Sequence, residues 1–189
     1  MIWRNFINQA MLGSVLCLLV ICGSVFADET ERRRIDISLT LFPRIIAVDN
    51  HFREKLIDGN KAKLVFIYDR DREYVEGLVN RLLEDRDNIG GMGVLAEVAS
   101  IDELIAYDEP PTAVFLAERL NDDLLEQVMS VASRNNRLVY SPFSGDVERG
   151  VTVGVSVTHR IKPFFNMAVL RESKIVINAL LMKVSKRYE

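Results

Sequence analysis

Three short, unbroken apolar runs constrain this chain more than any other feature: Leu64–Tyr68, Ala113–Ala117 and Leu138–Tyr140. A run without polar alternation marks a strand buried on both faces. The segments between them have a different period. Tyr74, Val75, Leu78, Val79, Leu82 and Leu83 recur at helical spacing, and so do Leu124, Leu125, Val128, Met129 and Ala132. Each set forms one apolar helix face with charged residues outside it. Val94–Val98 reads as a further strand, and Gly90-Gly91-Met92-Gly93 before it as a turn. Ser100-Ile101-Asp102-Glu103 has the form of a capping box that opens a short helix ended by Pro110-Pro111. An acid in Asp69–Asp71 is placed to cap the first helix and Asn121 the later one. Strands alternating with such helices predict a parallel sheet with right-handed crossovers.

The last apolar run opens a different kind of block. Ser141–Gly150, SPFSGDVERG, is a polar loop with two glycines. Then Val151, Val153, Val155 and Val157 alternate with Thr152, Gly154, Ser156 and Thr158, the period of a strand. Ile161–Met167 is a second extended piece, and the short link between the two predicts an antiparallel pair. Ala168–Ser173 reads as a brief turn or helix. Val176, Ile177, Leu180, Leu181 and Val184 repeat the helical double row, and Lys183, Lys186 and Arg187 suit the end of that helix. The expected fold class is therefore α/β: a single three-layer domain, mainly parallel sheet, with an antiparallel C-terminal strand pair and a C-terminal helix. Ile35–Val48 stays open on pattern alone. Ile35, Ile37, Leu39 and Leu41 alternate as in a strand, whereas Phe42, Ile45 and Ile46 fit a helix. Pro43 would be costly in a helix interior.

Composition bears on where the chain works. Residues 1–27 read as an export signal, with Arg4 in the basic region and an uncharged stretch from Ala10 to Phe26. Val25-Phe26-Ala27 places cleavage after Ala27. The apolar stretch is short for a spanning helix, which makes an uncleaved anchor the lesser reading. Ile21 before Cys22 is too bulky for a lipid-attachment site. Residues 28–34 form a charged leader, and 35–189 form the folded domain. Both cysteines, Cys17 and Cys22, lie in the signal, so the exported chain has no disulfide, thiol nucleophile or thiolate metal site. Arg4 is the only charge before Asp28, which leaves the exported part at −4. That balance does not suggest nucleic acid as a partner.

No catalytic set is visible, and no metal or cofactor is expected. His51 and His159 are the only histidines, and neither has a nearby motif. The glycines at 90–93 lack the spacing and Lys-Ser/Thr of a phosphate loop. Two stretches follow predicted strands at their carboxyl ends, where open α/β sheets bind ligands. In the first, Asp69 and Arg72 are candidates; in the second, Ser141, Phe143, Asp146, Glu148 and Arg149. Asn166, after Phe164-Phe165, is a further candidate, although an Asn there more simply sets a turn. A polar loop of this kind is expected on the surface.

The terminal block KPFFNMAVLRESKIVINALLMKVSKRY, Lys162 to Tyr188, resembles the end of the YfiR/HmsC-like family of periplasmic proteins. Phe165, Asn166, Leu170, Ile175, Leu180 and Leu181 carry the resemblance. It implies a single α/β domain in which Ile35–Val48 is helical. It also implies a periplasmic, non-enzymatic regulator that binds and restrains an inner-membrane signalling partner, such as a diguanylate cyclase or a sensor kinase, and that can form homodimers. The better-known members carry disulfide-forming cysteines, and this chain has none outside 1–27. The competing reading is a periplasmic small-ligand binding protein for sensing or transport, with its cleft at the carboxyl ends of the strands.

Overall fold

The first helix, α1, owes its position to one aromatic ring. Phe42 is fully buried and meets Phe66, Phe115 and Tyr140 at centroid distances of 6.1, 5.2 and 5.5 Å. Those three rings come from three neighbouring strands, so a single side chain fastens the helix across the middle of the sheet. The computed structural model describes residues 29–189, and the export signal read into 1–27 lies outside them. Residues 34–189 form one compact unit; of the preceding unit, 1–33, only 29–33 are described, and they are helical.

Helix α1 covers 29–46. Ile35, Leu39, Phe42, Ile45 and Ile46 are its buried apolar residues at helical spacing, together with Ser38 and Pro43. The helical alternative for Ile35–Val48 is thus the one adopted. The helix also takes in most of the charged leader. Ser38 is tolerated on the buried face because its Oγ accepts a hydrogen bond from the Tyr140 hydroxyl at 3.1 Å. A single 3₁₀ turn, Phe52–Lys55, leads into the sheet.

The strands are β1 Lys61–Ile67, β2 Asn88–Ile89, β3 Met92–Ala99, β4 Ala113–Leu116, β5 Leu138–Ser141, β6 Val153–Val157, β7 Ile161–Asn166 and β8 Lys186–Tyr188. They form one sheet in the order β2-β3-β1-β4-β5-β6-β7-β8. The pairs among β1, β3, β4, β5 and β6 are parallel. The β6–β7 pair is antiparallel, with Val155 opposite Pro163, as the short link requires. The remaining helices are α2 Arg72–Asp85, α3 Ile101–Ile105, α4 Asp122–Arg134, α5 Met167–Glu172 and α6 Ala179–Val184.

Strand β1 shows why the fold has three layers. Leu64 and Phe66 join the core beneath α1 and α2, whereas Val65 and Ile67 join the core beneath α3 and α4. Both sets are buried, which is why the strand reads as one unbroken apolar run. The expected caps are in place. Asp71 accepts from the Tyr74 N–H, Asn121 from that of Leu124, and Ser100 with Glu103 completes a capping box. Gly90 and Gly91, at φ 58° and 81°, form the two-residue turn between β2 and β3.

Two expectations are corrected. The terminal helix is shorter than its double row suggests: α6 stops at Val184, and Lys186–Tyr188 pair with β7 as a parallel strand. Lys186 then lies over the Phe164 ring at 4.1 Å instead of facing a helix end. Pairing with the otherwise open edge of β7 outweighs another turn of a marginal helix. Upstream, Val176 and Ile177 are not helical, because Ile177 forms a bridge with Asp49. The second correction is the Ser141–Gly150 loop. Ser141, Pro142, Phe143, Asp146 and Val147 are all buried, so half of the loop is interior and only Ser144, Glu148 and Arg149 are exposed.

Candidate functional site

The chain leaves β1 through α2 on one face of the sheet and β4 through α4 on the other. That divergence makes the carboxyl ends of β1 and β4 the switch point of the sheet, where open α/β folds bind their ligands. Three segments meet there: 68–71 after β1, 117–121 after β4, and 142–150 after β5. Both predicted candidate stretches are therefore at this end.

A carboxylate of the chain itself occupies the first segment. Glu118 Oε2 accepts hydrogen bonds from the backbone N–H groups of Asp69 and Arg70 at 2.6 and 2.7 Å, and from that of Asp71 at 3.4 Å. Successive N–H groups converging in this way form an anion cradle, and Glu118 is the anion in it. Sequence reading missed Glu118, since its partners lie 47–49 residues away and no motif links them. Asp69 keeps its own carboxylate near the Arg70 guanidinium at 3.4 Å.

Arg72 begins α2 and turns toward the β3 edge. Its Nε meets Glu76 at 3.0 Å, and its Nη1 meets Glu103 at 3.3 Å and the Tyr68 hydroxyl at 3.4 Å. These hydrogen bonds push its pKa up further. Glu103, in turn, is held below its ordinary value, first by the Ser100 N–H and then by Arg72. Beneath them the Tyr107 hydroxyl donates to Glu97 at 3.0 Å, and burial with that hydrogen bond raises Tyr107 to about 12. Arg72 thus ties α2 to α3 across the edge of the sheet.

The 141–150 loop is tied together from within. Ser141 Oγ donates to Asp146 Oδ2 at 2.6 Å and accepts from the Phe143 N–H at 3.1 Å. Asp146 Oδ1 accepts from Arg149 Nη1 at 2.8 Å and lies 3.7 Å from Arg119. Arg149 continues outward to Asp122 at 2.6 Å and to the Leu120 carbonyl at 3.0 Å, and its carboxylate partners raise its pKa. Phe143 is buried, with the Arg119 guanidinium 5.2 Å from its ring centroid. Gly154 allows the closest approach of all. A Cβ there would lie 2.8 Å from the Ser141 carbonyl oxygen and 2.9 Å from Val147 Cγ2. Glu148 and Arg149 are the exposed candidates of this loop, Arg149 being the one tied down by carboxylates.

Asn166 closes the far side. Its Oδ1 accepts from the Val169 N–H and so caps α5, while its Nδ2 donates to the Val147 carbonyl at 2.9 Å. Of the eight candidates, Ser141, Phe143, Asp146 and Arg149 form one connected group, and Asn166 braces it. Asp69 and Arg72 belong to a neighbouring one. Ser141 has an acid partner but no imidazole. It pairs with Gly154 in β6, and His159 lies beyond the end of that strand, in the turn that leads to β7. A serine nucleophile needs a base within hydrogen-bond reach. Among the described residues, no group of three or more His, Cys, Asp and Glu could hold a metal, and no helix is long and apolar enough to cross a membrane.

The chain matches no family model and no curated protein. Its fold is similar to that of a conserved domain protein from Vibrio cholerae O1 biovar El Tor, with a TM-score of 0.52 at 11% identity over 72% of this chain. It is more loosely similar to the ABC domain in complex with L-Trp from Streptococcus pneumonia, at a TM-score of 0.46, 13% identity and 76% of this chain. A ligand-free, open substrate binding protein with adhesive properties from Clostridium difficile gives 0.49 at 12% identity over 67%. The chain spans 57%, 61% and 54% of those three proteins, respectively. At such identities the likeness is one of fold alone.

Proposed function

We propose that this is a regulatory domain of the cell envelope that works by binding a protein partner, an inner-membrane signalling protein whose activity it restrains. One observation carries the reading. Helix α6 packs on the core through Leu181 and Met182, yet it leaves Leu180 73% and Val184 58% exposed on its outer face. Val176, 46% exposed, leads into it. Single exposed apolar residues are ordinary, but two large ones one turn apart on a six-residue helix are the kind of surface a partner covers. This helix belongs to the terminal block whose sequence resembles periplasmic regulators.

Ligand binding at the carboxyl ends of the strands has less support. There the N–H cradle holds Glu118, and the polar side chains of 141–150 bond to one another. The test is crosslinking in the native cells, comparing the wild-type chain with a Leu180→Asp/Val184→Asp variant. Both residues are exposed, so the variant should fold, and an unchanged circular dichroism melt checks that it does. The wild type should capture a membrane signalling protein and the variant should not. Equal capture by both, or no membrane protein with either, would remove the proposal.

A further inference from the structure

A cavity of about 300 Å³ opens at the opposite end of the sheet, between the α3–β4 connection and the C-terminal half of α4. Leu104, Pro110, Val114 and Val131 give it apolar walls, and Arg134 and Arg137 bring positive charge. Asp108 is the one acid on its lining. Arg134 is tied to its own helix, with Nε on the Ser130 carbonyl at 3.1 Å. Arg137 is different. Its side chain is half-buried, and its Nε is closed off from solvent without a hydrogen-bond partner among the described residues.

An arginine guanidinium carries five donors, and a desolvated one without acceptors is costly. The acids around Arg137 do not offset this. Asp49 and Glu109 act on it through their charge alone. Asp49 is already bound by Lys55 Nζ and by the His51 N–H. Burial therefore lowers the Arg137 pKa from its usual value. The backbone explains why the side chain is held here at all. Asn136 sits at φ 56°, and the Arg137 N–H bonds to the Ala132 carbonyl at 2.8 Å, which closes the end of α4 and aims the chain into β5. Among the described residues, its Nε has no hydrogen bond that would hold it away from the cavity.

We propose that this cavity is a binding site for a small organic acid, a carboxylate on a compact apolar body. The carboxylate would bond to the Arg137 guanidinium, the geometry for which arginine is best suited. The apolar body would lie against Leu104, Val114 and Val131. Two arginines against one acid favour a singly charged carboxylate over phosphate, whose second charge Asp108 would repel. The volume suits a ligand of about ten heavy atoms, at the small end of known sites. The site is independent of the α6 surface and stands or falls separately from it.

The test uses purified protein, benzoate and isovalerate as probes, and benzamide and inorganic phosphate as comparisons. Benzoate or isovalerate should raise the melting temperature, whereas benzamide and phosphate should not. Arg137→Met keeps the apolar stem and removes the charge. It should melt at or above the wild-type temperature in plain buffer and bind the acid about tenfold more weakly or worse. Arg137→Lys should keep part of the response. A lower melting temperature for Arg137→Met would show the guanidinium to be satisfied within the fold and would overturn the proposal. So would an equal benzoate response in both proteins, an equal response to benzamide, or no response to either acid.

Discussion

Gly154 and Tyr107 show how much single residues determine here. The space at Gly154 is closed by backbone on one side and by Val147 on the other. Gly154→Ala should therefore destabilise the protein by about 1–3 kcal/mol, because a carbonyl in a sheet cannot move aside as a side-chain tip can. Urea unfolding monitored by circular dichroism would measure it, and an unchanged midpoint would mean the loop can retreat from β6. Tyr107 makes the pH prediction. Its folded pKa is raised, so the stability from its phenol–Glu97 bond is complete below the ordinary value of 10.0 and is lost as pH rises through about 12. Absorbance titration of the tyrosines should show this ring ionising near 12. Glu97→Gln should bring it down only part of the way, since burial is the larger cause. A full return to the ordinary value would contradict that order.

Elements were legible where one period dominated. Helices α2 and α4 follow directly from their double rows, and β1, β4 and β5 from their unbroken apolar runs. Helix α1 was hidden because Ile37 and Leu41, only half-buried, add a false period of two, while the buried Ser38 removes an apolar mark from the true one. The 141–150 loop looked like surface because burial of polar groups depends on partners such as Arg119 and Asp122, which pattern cannot supply. The cradle around Glu118 was illegible for the same reason. Capping, by contrast, is local and was read correctly at Ser100, Asn121 and within Asp69–Asp71. It should matter most for α3, only five residues long and marginal by itself. Ser100→Ala should cost about 1 kcal/mol, measured by thermal unfolding. The Glu103 carboxylate contributes separately, because the Ser100 backbone N–H that does most to hold it below its ordinary value survives the substitution. Its share should be present above the ordinary carboxylate value and be lost as pH falls through the depressed one, in the variant as in the wild type. No loss on substitution would mean that packing of Leu104 alone holds the helix.

For the molecule as a whole, the two ends of the sheet and its terminal helix divide the possible functions between them. At the carboxyl end the N–H cradle holds Glu118 and the buried polar groups of 141–150 bond to one another, while Arg72 lines an open cavity with Glu97 and Glu103. The amino end holds a cavity lined by an arginine whose Nε lacks a hydrogen-bond partner among the described residues. The outer face of α6 presents apolar side chains to solvent. Phe42 links α1 to three strands, and Phe42→Ala should cost about 3–5 kcal/mol, enough to reduce the folded population of a domain of ordinary stability. Denaturant titration would test it, and a loss below about 1 kcal/mol would place the fold's centre elsewhere. The central claim is that α6, and not the polar loop, meets the partner. The most direct measurement is site-specific photocrosslinking in the native cells, with the reactive group placed at Leu180 in one strain and at Glu148 in another. Both positions are exposed. An adduct with a membrane protein from Leu180 and none from Glu148 is the result this account predicts. An adduct from Glu148 alone would contradict it and return the function to the 141–150 loop.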